Sequence, residues 1–346
     1  MSKPKITIGI SVYDRINEAK VSAILAKTVL ADDFEVKVII AACKSGTKEN
    51  FINDSFIDFV LEPDLPKEVN SKYNIHTNLG AARTLSSFLK CGEYAQEKGS
   101  DFFCFGNAGS WLLSPNGIIE LTSRLATEKK LIACRVAREG KKYSVEDHFF
   151  LVSLKLVDNS EIFKAEFLKR DFNPIFFYDN SIHALLENWI NTKTEPGQVI
   201  IYSDLTECKN HYGEPVKCFV PFSIDPKRGF MHSNPSDWTD EILTLRKKYI
   251  ETCDLLDDKK KEIAINLLKS ETNAKTMKRN VKLGNLYFLD PKKNKKIFYV
   301  VVRYKIVWMI LCELSLILQN LGLKFPMVKF ISKKMQRFLS RHSKAY

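Results

Sequence analysis

Paired cysteines are missing from this sequence. Its eight cysteines show no CxxC spacing, and Cys43, Cys104, Cys134 and Cys312 sit in apolar runs. That argues against a disulfide framework or a structural zinc site and for buried free thiols in a reducing compartment. No internal repeat or low-complexity tract is present, which argues against solenoids and linkers. No nucleic-acid-binding motif appears either, and no nucleic-acid partner is expected. Met1–Lys5 leads straight into a strand pattern without a signal-peptide profile, so the expected location is cytoplasmic. What is present fits a folded protein: 346 residues, 45% hydrophobic and 27% charged.

The net charge of +12 is unevenly distributed. Residues 1–240 carry 29 Lys/Arg against 32 Asp/Glu, whereas residues 241–346 carry 24 against 9. The first part needs no polyanionic partner; the basic character belongs to the C-terminal third.

Apolar runs at Ile6–Val12, Phe34–Ala42, Ile57–Leu61, Phe102–Phe105 and Leu131–Ala137 alternate with helical patterns at Asn17–Leu30, Asn78–Lys98 and Asn116–Glu128. This rhythm predicts an α/β fold with a mixed, mostly parallel sheet and helices on both faces. The run Phe102–Phe105 breaks into small and polar residues, Gly106–Ser110, the kind of strand tip where open α/β sheets hold ligands. Further on, Phe149–Val157 and Val199–Tyr202 read as strands, Ser181–Asn191 as a helix, and His211–Pro235 as an irregular loop that either covers a site or is a structural surface loop. After Trp238 the chain is helical and highly charged through about Lys269.

The C-terminal part continues with the basic run 292–296, an apolar stretch at Ile297–Leu323 interrupted by Arg303, Lys305 and Glu313, and a basic tail. An amphipathic helix lying on an anionic membrane surface is the expected role of residues 292–346; a helix packed on the main domain or a membrane span are the alternatives. The organisation expected is a domain over residues 1–235, a charged helical linker over 236–275 and a basic amphipathic helical membrane-association segment over 276–346.

Three motifs, in order, resemble the family 2 glycosyltransferases and their relatives with the GT-A (Rossmann-like) fold, over roughly residues 5–235. ITIGISVYDR (6–15) is similar to that family's strand followed by Tyr-Asn-Arg, with Asp14 where Asn is common. NLGAAR (78–83) is a shortened form of its Asn-x-Gly-x-x-x-Ala-Arg. FGNAGSWLLSPNGI (105–118) aligns with Phe-Leu-Asp-x-Asp-Asp-x-Leu-x-Pro. The resemblance implies sugar transfer from a nucleotide-sugar donor to a glycan or lipid-linked acceptor, the alternative being a catalytically silent module that binds a nucleotide sugar or a partner enzyme. The basic tail adds the expectation of peripheral attachment to the inner face of the membrane. On the matched positions it implies donor contacts from Ser11, Tyr13, Asp14, Arg15, Asn78, Gly80, Arg83, Asn107 and Gly109.

Two departures stand out. The family's Asp-x-Asp pair binds Mg²⁺ or Mn²⁺ on the donor diphosphate, but Asn107 and Gly109 stand in its place. An acidic residue expected after the second strand is replaced by Ala42-Cys43-Lys44. Without a metal ligand set, Arg15, Lys44, Arg83 and the backbone N–H groups of Gly106–Ser110 are the available diphosphate donors. An inverting transferase needs a carboxylate base. Asp179, in FFYDNSIHALLENWI, is the nearest counterpart, though it also suits a helix cap; Asp147, in VEDHFF, is its rival. His148 and His232 are expected near the acceptor, and Trp111 either stacks on a sugar or packs against the next helix. The separations of His148, His211 and His232 carry no metal-ligand spacing.

Overall fold

The structure is a computed structural model that describes residues 2–63, 79–139, 142–157, 161–164, 182–195, 197–204, 207–209, 222–233 and 240–270. β1 (Lys5–Val12) is buried from Ile6 onward, as expected of a central parallel strand covered on both faces. It pairs in parallel with β2 (Glu35–Ala42) on one side and β4 (Phe102–Asn107) on the other. β3 (Phe59–Leu61) extends β2 in the same direction. The sheet continues with β8 (Phe150–Ser153), β6 (Ile132–Glu139) and β7 (Lys142–Val145), while β9 (Val199–Asp204) pairs in parallel with β6. Together these eight strands form a mixed α/β sheet in the order β3-β2-β1-β4-β8-β6-β7. The parallel half β3-β2-β1-β4 followed by antiparallel β8 is consistent with a GT-A fold.

Helix α1 (Ile16–Val29) connects β1 to β2 and packs on both. Helix α2 (Leu79–Glu97) packs on β1, β2 and β4. Alternation along β1 separates the two faces. A Cβ on Gly9 would lie 2.8 Å from the Phe103 ring and 2.9 Å from Cys91 of α2, so glycine lets that helix approach closely. Phe88 of α2 sits edge-on to Phe105, Phe150 and Trp189 at 4.9–5.4 Å, the geometry favoured by aromatic quadrupoles. Trp189 belongs to α4 (Ile182–Lys193), and α3 (Asn116–Thr127) lies against β6 and β8.

The segment predicted as an irregular covering loop contains regular structure. β10 (Phe222–Asp225) and β11 (Phe230–Ser233) form a hairpin, and β11 pairs with β5 (Ser110–Leu112), placing His232 opposite Ser110. β5, β7, β10 and β11 are three or four residues each, too short for a periodicity signal. Beyond them, α5 (Asp240–Glu251) and α6 (Asp258–Ser270) follow, with α6 packed on α1. Arg246 of α5 forms a fully buried ion pair with Glu18 of α1. No helix among the described residues is long and apolar enough to cross a membrane. The expected membrane-association segment, residues 276–346, lies outside the described residues.

Candidate active site at the tip of β4

Register alone brings the first group of side chains together. Ser11 of β1 is opposite Asn107 of β4, so the turn after β1 lies beside the β4 tip. On the other side Phe105 is opposite Phe150, and antiparallel continuation sets His148 beside Asn107. The Asn107 Nδ2 is 3.2 Å from His148 Nδ1, and Ser110 Oγ is 3.3 Å from the same nitrogen. On its far side, His148 Nε2 is 3.1 Å from Asp147 Oδ1 and 3.8 Å from Glu146 Oε2. His232 stacks on the His148 ring, with centroids 3.4 Å apart and planes at 18°. Glu146, Asp147, His148 and His232 are all buried.

Burial sets the electrostatics of this cluster. It raises the Asp147 carboxyl from 3.8 to about 6, with neighbouring Glu146 reinforcing the shift and His183 opposing it. Burial also holds His148 well below the usual imidazole range, and His232 and Arg135 add to this. For His183, burial acts against protonation, but Glu146 and Asp147 outweigh it and raise its pKa. His183 Nδ1 also lies 2.6 Å from the Val145 carbonyl oxygen. Neutral His148 with its proton on Nε2 donates to Asp147, leaving Nδ1 to accept from Asn107 Nδ2, while the Ser110 hydroxyl donates to Asn107 Oδ1. This tautomer follows from the hydrogen-bond partners.

The backbone at the cluster is strained. Phe149 has φ +55°, a left-handed conformation that costs a bulky residue about 1–2 kcal/mol. Its ring is stacked on Phe230 at 4.3 Å, and the Tyr202 hydroxyl donates to its carbonyl. These contacts hold the bend that turns Asp147 and His148 toward the β4 tip.

Asn107 and Gly109 do not fit a divalent cation. Asn107 Oδ1 accepts from the Gly109 N–H at 2.9 Å, Ser110 Oγ at 3.3 Å and Arg15 NH2 at 3.4 Å, so it closes its own turn. Gly109 offers no side chain, and a Cβ there would lie 2.1 Å from the Ser233 carbonyl oxygen. Among the described residues, the group that could hold a metal is Glu146, Asp147 and His148, whose ligand atoms lie within 4.8 Å of one another. His183 and Arg135 lie close enough to offset part of their charge, but Glu146 Oε1 is buried with no hydrogen-bond partner among the described residues.

The remaining sequence-predicted residues divide by environment. Tyr13 is 45% exposed, with the Arg83 guanidinium 4.7 Å and the Lys44 Nζ 5.9 Å from its ring centroid. Asp14 is exposed beside it. Ser11 is buried and turned toward α2, donating to Ser87 at 3.1 Å. Arg15 precedes α1 and reaches the β4 turn. Gly80 lies in the first turn of α2, while Asn78 and Asp179 lie outside the described residues. Trp111 requires a correction: the ring is 0% exposed beneath the Arg246 guanidinium, 4.2 Å from its centroid, and packs inside the protein rather than facing a sugar.

Sequence reasoning passed over Glu146, His183, Ser110 and the Glu18–Arg246 pair. Glu146 had a signal in the Glu-Asp-His run; the others depend on long-range packing.

No protein-family model matches the sequence, and no curated protein matches it. Solved structures do align with it. A Desulfovibrio desulfuricans protein described as a nucleotide-diphospho-sugar transferase aligns with 81% of this chain and 99% of its own at 10% identity, with a TM-score of 0.37. A glycosyltransferase involved in glycosylating the major capsid of PBCV-1 aligns with 58% of this chain and 82% of its own, at 12% identity and TM-score 0.34. The galactosyltransferase LgtC, solved with donor and acceptor sugar analogs, aligns with 75% and 99%, at 12% identity and TM-score 0.36. The structural neighbours are thus glycosyltransferases. At these scores the sheet order, rather than the alignments, carries the assignment of fold.

Proposed function

We propose that this chain is a glycosyltransferase that moves a sugar from a nucleoside-diphosphate donor to a hydroxyl of a glycan or lipid-linked acceptor. The observation that carries the reading is the buried Asp147–His148 pair hydrogen-bonded to Asn107 at the carboxyl end of β4. An open α/β sheet offers its ligand crevice there, and a carboxylate raised to about 6 is well matched to general-base work near neutral pH. Exposed Tyr13 and Lys44, just past the ends of β1 and β2, and half-buried Arg83 of α2 form an aromatic and cationic group suited to a nucleotide.

In this mechanism the acceptor oxygen attacks the anomeric carbon as the bond from that carbon to the diphosphate oxygen breaks. The bonding pair leaves with the nucleoside diphosphate, the acceptor proton passes to Asp147, and the configuration inverts. His148 acts as a positioning residue: its Nε2–H holds one Asp147 oxygen, while Asn107 and Ser110 fix the ring from the other side. Asp179 is the alternative base.

Incubation of the full chain with nucleoside-diphosphate sugars and hydroxyl acceptors should release the nucleoside diphosphate and glycosylate the acceptor. Absence of donor binding by every nucleotide sugar refutes the reading. A second reading, a donor-binding module without transferase activity, is favoured by the loss of carboxylates at 107 and 109; donor binding without release or transfer selects it. The tail is proposed to hold the enzyme on the cytoplasmic, anionic face of a membrane. Removing residues 292–346 should move the protein from the membrane pellet to the supernatant, and continued pelleting counts against that role.

A further inference from the structure

The divalent cation implied by the family resemblance has no carboxylate ligands at positions 107 and 109, and one side chain occupies the place where the second would be. A Cβ on residue 109 would lie 2.7 Å from Arg15 NH2 and 3.1 Å from NH1. The guanidinium therefore fills the volume into which the second carboxylate of an Asp-x-Asp pair would project. The charge balance is inverted along with the sterics. Two carboxylates and a divalent cation sum to zero, whereas an amide, a glycine and a guanidinium leave a positive charge. Glu18 offsets only part of it, because that carboxylate is shared between Arg15 and Arg246.

Arg15 is also positioned and partly unused. Its NH1 donates to the Ser233 carbonyl at 2.9 Å and faces Glu18 Oε2 at 2.9 Å, and NH2 donates to Asn107 Oδ1 at 3.4 Å. A guanidinium carries five N–H donors, and these two hydrogen bonds use two of them, beside the ion pair with Glu18. Its other N–H groups meet no protein acceptor among the described residues. The side chain lies between the tips of β1 and β4, the two strands whose ends frame the crevice. It leads into α1, which opens with no side-chain cap on its N–H groups.

We propose that Arg15, framed by the Gly109 turn, binds the donor's diphosphate directly in place of a divalent cation. The proposal rests on the nucleotide-sugar reading above. A guanidinium suits the task because it meets phosphate oxygens through paired, charge-assisted hydrogen bonds and cannot be lost by deprotonation. The electron pair released on cleavage then settles on a diphosphate already held by a fixed cation.

The test is titration of the full chain with UDP and GDP against UMP and GMP, in excess EDTA and then with Mn²⁺. In EDTA, at least one diphosphate should bind about tenfold or more tightly than its monophosphate, and Mn²⁺ should change that by less than about twofold. Arg15→Gln should erase the diphosphate advantage while leaving monophosphate affinity unchanged, and Arg15→Lys should restore part of it. The wild-type comparison stands by itself if the glutamine variant fails to fold. Equal affinity for mono- and diphosphates in EDTA overturns the proposal. So does diphosphate binding that appears only with Mn²⁺ and is lost in Glu146→Gln, which moves the cation to the Glu146–Asp147–His148 group and leaves the donor reading intact. Failure of every nucleotide to bind under either condition overturns both.

Discussion

Replacing Asp147 by Asn separates catalysis from stability at one position. Asp147 is buried, and its carboxyl is raised from 3.8 to about 6, chiefly by burial with Glu146 adding to it. Such a group holds its proton more tightly in the folded state, so between about pH 4 and 6 the folded state binds more protons than the unfolded one. Stability therefore falls as pH rises through that window. The displacement corresponds to about 3 kcal/mol against folding once both states are ionised, at 1.36 kcal/mol per pH unit. Asparagine has the same shape and no charge to desolvate. It gives up the bond to His148 and the attraction to His183, but the raised pKa is already net of these interactions. Asp147→Asn should therefore leave the protein more stable than wild type at pH 8, by up to about 3 kcal/mol, while transfer falls by a hundredfold or more. At pH 4, where Asp147 is protonated in the folded wild type, the difference should nearly vanish. Urea denaturation at pH 4, 6 and 8, paired with transfer rates, reads both effects. Using the difference between variant and wild type removes most of the contribution of the other histidines. A variant destabilised by several kcal/mol at pH 8, or one that retains transfer, would refute the reasoning.

Gly109→Ala should cost about 1–3 kcal/mol in chemical denaturation, because its Cβ would meet the Ser233 carbonyl and the Arg15 guanidinium. Gly109→Asp should cost at least as much and should fail to confer Mn²⁺ binding in calorimetry, since the carboxylate has no room to project. Arg246→Ala leaves Glu18 buried with one cationic partner fewer and removes the cover from Trp111; a loss of about 3–5 kcal/mol in the same assay is expected. Wild-type kcat/KM should decline as pH falls through about 6, as Asp147 takes up its proton, and a profile flat to pH 5 would exclude Asp147 as the base.

The long elements were legible in the sequence because each signals its own period. Ile6–Val12 reads as a buried strand, and Leu85, Phe88 and Leu89 mark one helix face; both lie in the expected elements. The strand tip at Asn107 was equally visible, because a buried aromatic run ending in Gly-Asn-Ala-Gly-Ser can only finish at the edge of a core. Trp111 was not resolved, since an aromatic beyond a strand looks the same whether it meets a sugar or an arginine. Its partner, Arg246, is 135 residues away.

The sequence by itself determined the α/β order, the confinement of basic charge to the C-terminal third, and the absence of a carboxylate pair at the β4 tip. These follow from local pattern and composition. The tertiary structure decided what replaces that pair. Antiparallel β8 brings Asp147 and His148 to Asn107, β11 sets His232 against Ser110, and the turn into α1 puts Arg15 in the volume beside Gly109. Which groups meet depends on strand register and on burial, and burial is the largest cause of the changed proton affinity of Asp147. Neither is written in the spacing of residues along the chain.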